Sequence, residues 1–145
     1  MEATNQSNLA TKVAQFKLIA RDALRMRLIS PRLANVSAYE KQVKQTVADK
    51  AEYQAALDVQ KYEISTMDVN HPNFANDKKF KEEYLAEKTK KLEVFDQQVE
   101  ELNKKIAEQN EGIQNIESGK TLVSKDDLNF LVSQMCEQYA MNQVA

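Results

Sequence analysis

The stretch LAEKTKKLEVFDQQVEELNKKIAEQNEGIQNI, residues 85–116, decides the fold. Leu85, Leu92, Val99, Ile106 and Ile113 recur every seven residues, and Phe95, Leu102 and Ile116 each follow a member of that series by three. An apolar repeat of this period is the seam of a coiled-coil-like helix, whose a and d positions face a partner helix. The two remaining d positions are Lys88 and Gln109.

Upstream lies a second, weaker seam of the same period. Its a positions are Val36, Val43, Leu57 and Ile64, interrupted by Lys50, and its d positions are Tyr39, Thr46, Tyr53, Gln60 and Met67. The two seams are equally long, and a polar link containing Asn70, His71, Pro72 and Asn73 separates them. The simplest closure is an antiparallel helical hairpin of residues 36–118, roughly 45–50 Å long at 1.5 Å per residue, with its polar tip at 68–76. Folding Met67 onto Leu85 sets Tyr53 against Val99, Leu57 against Phe95, Lys50 against Leu102 and Lys88 against Ile64. The competing arrangement pairs the stronger seam with its own copy in a second chain.

Shorter helices flank the hairpin. The first spans about residues 8–29, capped by Ser7 or Asn8 and stopped at Ser30-Pro31, because proline disfavours helical geometry in the residue before it. Its apolar stripe is Leu9, Val13, Phe16, Ala20, Ala23 and Leu24; Leu18, Ile19, Met26 and Leu28 lie outside it. The last helix starts at Ser124, spaced from Asp127 as in a capping box, and ends near Asn142. Leu128, Leu131, Val132, Met135 and Tyr139 share one face there, with Phe130 and Met141 off it. Gly119, between hairpin and last helix, sits where a left-handed helix cap is expected. The architecture is thus all-α: residues 1–35 a basic amphipathic helix, 36–118 the hairpin, 119–145 a C-terminal helix, together one structural unit.

Composition agrees. Of 145 residues only two are glycine and two proline. A β-sandwich, barrel or doubly wound α/β domain of this size needs many tight turns, and four such residues do not supply them. No run of about 18 apolar residues suits a transmembrane span, and the apolar stretch from Phe16 to Ile29 is broken by Lys17, Arg21, Asp22, Arg25 and Arg27, unlike a secretory leader. One cysteine, Cys136, allows no intrachain disulfide. The expectation is a soluble intracellular protein or a component of a macromolecular particle.

The residue chemistry points away from catalysis. The single histidine, His71, lies in the polar link, three residues after Asp68; a di-iron bundle needs two Glu-x-x-His pairs and further carboxylates. No spacing joins His71 and Cys136 in a zinc site. Adjacent carboxylates, Glu82 with Glu83 and Glu100 with Glu101, diverge by about 100° on a helix and do not converge on one substrate. No phosphate-binding loop or nucleophile elbow occurs. No enzyme activity, metal or cofactor is expected.

Charge is uneven. Up to Asn35 there are six basic residues and two acidic ones; thereafter fourteen basic and twenty acidic. Lys17, Arg21 and Arg25 form a stripe beside the apolar face of the first helix, and Arg32 follows. The expected interaction residues are therefore Leu9, Val13, Phe16, Lys17, Arg21 and Arg25 on the first helix, and Leu128, Leu131, Met135 and Tyr139 on the last. The function expected is non-catalytic assembly through protein partners or copies of the same chain. A helical chaperone or inhibitor capping a protein partner is the alternative, and a nucleic-acid contact through the basic helix a further one.

Overall fold

A computed structural model describes the backbone of residues 2–144 and the side chains of residues 8–143. It holds three helices, α1 (Glu2–Ser65), α2 (Phe74–Glu117) and α3 (Lys125–Val144), and no strand among the described residues. The fold is all-α, as expected, with α1 and α2 forming an antiparallel hairpin and α3 packing on α1 less extensively. Two compact units divide the chain: Met1–Asn35 with Gln109–Ala145, and Val36–Glu108.

In the unit Val36–Glu108, residues 36–65 of α1 run antiparallel to residues 74–108 of α2. Leu57 is almost fully enclosed and Leu102 is buried, while Leu85, Leu92, Phe95, Val99 and Ile106 are half-buried. Every a and d position of the weaker seam, from Val36 to Ile64, is also at least half-buried. Several polar members do not break the seam because they reach a partner at its edge or along their own helix. Lys50 Nζ meets Asp96 Oδ1 at 2.6 Å. Tyr53 Oη donates to the Lys88 carbonyl at 2.8 Å, and Lys88 Nζ lies 4.3 Å above the Tyr84 ring. Thr46 Oγ1 donates to the Gln42 carbonyl one turn back. Long polar side chains can thus lay their stems along apolar surface and keep their heads in water.

The register differs from the sequence expectation by about one heptad. Tyr53 stacks obliquely on Phe95, with ring centroids 5.7 Å apart, where Val99 was expected. Lys50 reaches Asp96 in place of Leu102, and Ile64 shares a hollow with Phe80, Lys81 and Tyr84 in place of Lys88. The cause is the tip. α2 begins at Phe74, ahead of the expected Asp77, and α1 ends at Ser65, leaving a link of only eight residues. A seven-residue repeat is satisfied equally by slips of seven, so the link selects among registers, and the shorter one pairs an additional turn of α2. The link is held locally: Asp68 Oδ1 accepts from Asn70 N–H, and His71 Nδ1 accepts from Asn73 N–H.

In the other unit, α1 passes through Pro31 without a break, so the expected helix end at Ser30 is overturned and three helices stand where four were expected. Proline within a helix removes the bond to the carbonyl four residues back and crowds it, costing about 3 kcal/mol. The flanks offset this. Ile29 is buried with Ile113 and Ile116 of α2. Arg32 Nη1 donates to Gln109 Oε1 at 3.4 Å, and its guanidinium occupies the space where a Cβ on Gly112 would stand. The expected cap at Ser7 or Asn8 is overturned as well, because α1 begins at Glu2, whereas the helix ends around Gly119 and Ser124 follow the sequence. Gly119 takes φ +83°, its N–H reaching back to the Ile116 carbonyl, and Asp127 N–H donates to Ser124 Oγ at 3.3 Å.

Two measurements check this arrangement. Leu57→Ala should cost about 2–5 kcal/mol in denaturant unfolding, whereas Val59→Ala, on the exposed face, should stay within about 0.5 kcal/mol. A zero-length carbodiimide should join Lys50 to Asp96 within one chain, seen by mass spectrometry as one linked peptide pair and lost in Asp96→Asn.

Candidate interaction surface

The surface is built from α1 residues 8–35, α2 residues 109–117 and α3. The inward face of α1 changes direction along its length. Ala20 and Leu24 are buried, as is Val132 on α3. Phe16 meets Tyr139 edge to face at 5.9 Å, and Lys12 Nζ lies 5.5 Å from the same ring. One turn beyond Leu24 the inward side is that of Ile29, which joins α2.

The residues expected to bind a partner are thereby placed. Phe16 and Tyr139 are brought together within the chain, and Leu128, Leu131 and Met135 are half-buried alongside Val132. Leu9 is exposed; with Val13 and Lys17 it lines an open hollow that Ala10 and Ala14 complete. Arg21 is half-buried. Arg25 lies 4.0 Å from Asp22, and its guanidinium stands over Gly119 at the end of α2. The last turn of α2 contains no basic residue of its own, so Arg25 brings positive charge to a terminus whose carbonyls favour it.

Apart from Leu9, the large apolar residues left outside on this part of α1 are off the expected stripe: Leu18, Ile19, Met26, Leu28 and Leu33. Ile19, Met26 and Leu33 are each about half exposed, and they stand seven residues apart. At 100° per residue they fall within about 40° of one another on α1. Between them lie the small residues Ala23 and Ser30. On α3, Phe130 and Met141 are exposed, eleven residues and three turns apart, on one side. Sequence reasoning noted Ile19 and Met26 but not Leu33. A helix ending at Ser30 hides the repeat; a helix continuing through Pro31 completes it.

In the unit Val36–Glu108 the exposed apolar residues are spread over several faces, among them Val47, Val59 and Val94, an ordinary feature of protein surfaces. Phe80 and Tyr84 border the small hollow near the link. Among the described residues no three of His, Cys, Asp and Glu come close enough together to hold a metal ion. His71 is exposed at the link and Cys136 half-buried on α3. No helix among the described residues is long and apolar enough to cross a membrane. The chain matches no protein-family model, no curated protein and no solved structure.

The pairing of α1 with α3 is measurable. A double-mutant cycle of Phe16→Leu and Tyr139→Leu should return a coupling of about 0.5–1.5 kcal/mol, the range of an edge-to-face aromatic pair.

Proposed function

We propose that this chain is a non-catalytic helical assembly protein, joined to protein partners through the outward apolar stripes of α1 and α3. The observation that carries the reading is the alignment of Ile19, Met26 and Leu33 on one side of α1, exposed to solvent at coiled-coil spacing. Apolar residues scattered singly need no explanation, whereas an aligned stripe is the usual mark of a protein contact. Phe130 and Met141 give α3 a second outward patch. The hairpin of residues 36–108 serves in this reading as a spacer, stabilised by its own seam.

The engagement of Arg25 and Arg32 with the end of α2 favours this reading over a nucleic-acid contact. A phosphate-binding surface depends on cationic groups free to displace counterions, and two of the six basic residues near the N-terminus turn inward instead.

A photoreactive phenylalanine analogue placed at Ile19 or at Phe130, in cells to which the chain is native, should give adducts of defined mass. The same group at Val59, exposed but off both stripes, should give few. Equal adducts from all three positions, or none from Ile19 and Phe130, would overturn the reading.

A further inference from the structure

The stripe on α1 has more than apolar character, and its flanking charges choose an occupant. With Ile19, Met26 and Leu33 at d, the a positions between them are Ala23 and Ser30, small enough for a second helix to approach closely. The preceding a position is Phe16, which Tyr139 already occupies, so the open seam begins after it. The g position before Ala23 is Asp22 and the following e position is Arg27. Both are exposed, and Asp22 has only a 4.0 Å approach from Arg25 within the chain.

An acid at g and a base at the next e, five residues on, is the arrangement that pairs across a parallel two-stranded seam. Two identical helices aligned in the same direction set Asp22 beside Arg27 of the partner subunit, and by symmetry Arg27 beside the partner's Asp22. Reversing one helix sets g against g and removes both pairs.

We infer that the occupant of this face is a second copy of the same chain, docked in parallel so that Ile19, Met26 and Leu33 each meet their own counterpart. This rests on the assembly reading above and names its partner. The seam is short, three large side chains per copy, so association is concentration-dependent rather than obligate. Burial of those side chains supplies the affinity, and the two flanking ion pairs set direction, as charges around an apolar contact generally do.

Sedimentation equilibrium of the purified full chain over a dilution series should show a monomer–dimer equilibrium. Met26→Asp should abolish the dimer with the helical circular dichroism unchanged, since Met26 is exposed in the single chain. Asp22→Arg should weaken the dimer about three- to tenfold, and Asp22→Arg combined with Arg27→Asp should restore it. In a Cys136→Ala background, a single cysteine at Ile19 or at Leu33 should form disulfide-linked dimers. Crosslinking from position 26 but from neither end means an antiparallel pair and overturns the inference. So does a dimer insensitive to Met26→Asp, or a chain that stays monomeric throughout. A monomeric chain that still gives photo-adducts from Ile19 with another protein removes the second copy but leaves the assembly reading standing; loss of both removes both.

Discussion

Two helices lying side by side can each bury only one stripe, and that constraint shapes everything else in this protein. Among the described residues Leu57 is the one large side chain that is fully enclosed, and the other buried apolar residues are strung along the helices instead of gathered in one centre. Stability therefore accumulates layer by layer along the seam. A polar residue in such a seam is tolerable because water is never more than a side chain away. Lys50, Tyr53 and Lys88 each place a polar atom at the seam's edge and find Asp96, a backbone carbonyl and an aromatic face there. The same residues in the centre of a globular core would meet a full desolvation cost.

The parts of the fold legible in the sequence are those fixed by local pattern. The left-handed Gly119, the cap at Ser124 and the extent of α3 follow from end chemistry and periodicity, and the a and d positions of both seams are at least half-buried. Two features depend on comparing distant segments, and local pattern does not decide them. The hairpin register is degenerate at the level of pattern, since Tyr53 suits Val99 and Phe95 almost equally; the choice lies in the length of the link and in the additional turn that begins at Phe74. Pro31 carries a correct local signal for a helix end, and the signal loses to the packing of Ile29 and Arg32 on α2. The candidate surface was legible only in part for the same reason. Ile19 and Met26 are visible as residues off the main stripe, but Leu33 joins them only on an unbroken helix.

The basic character of the N-terminal region also changes meaning once the structure is known. A +4 balance invites a search for an anionic partner outside the chain. Arg25 and Arg32 instead lie over Gly119 and Gly112, the two glycines of the sequence, and at Gly112 the absence of a side chain leaves room for the guanidinium. At Gly112 this explains a residue that otherwise weakens a helix interior by up to about 1 kcal/mol relative to alanine. At Gly119 the positive φ is an independent reason for glycine, and the nearby guanidinium adds charge complementary to the helix end.

Pro31 then links the inner packing of α1 to its outer face. Its ring projects from a side of the helix well removed from Ile19, Met26 and Leu33, about 120° away or more on the helical wheel. The carbonyl it leaves without a helical partner belongs to Arg27, an exposed residue that water can reach. The proline thus weakens α1 without crowding the outward stripe. What it threatens is the alignment of Leu33 with the two residues before it, since a bend between Met26 and Leu33 would turn the last member of the stripe aside. Ile29 and Arg32, anchored on α2 just before and just after the proline, hold that alignment. The inward contacts of this stretch therefore do more than stabilise the unit: they keep three outward residues, spread over four turns, on one line.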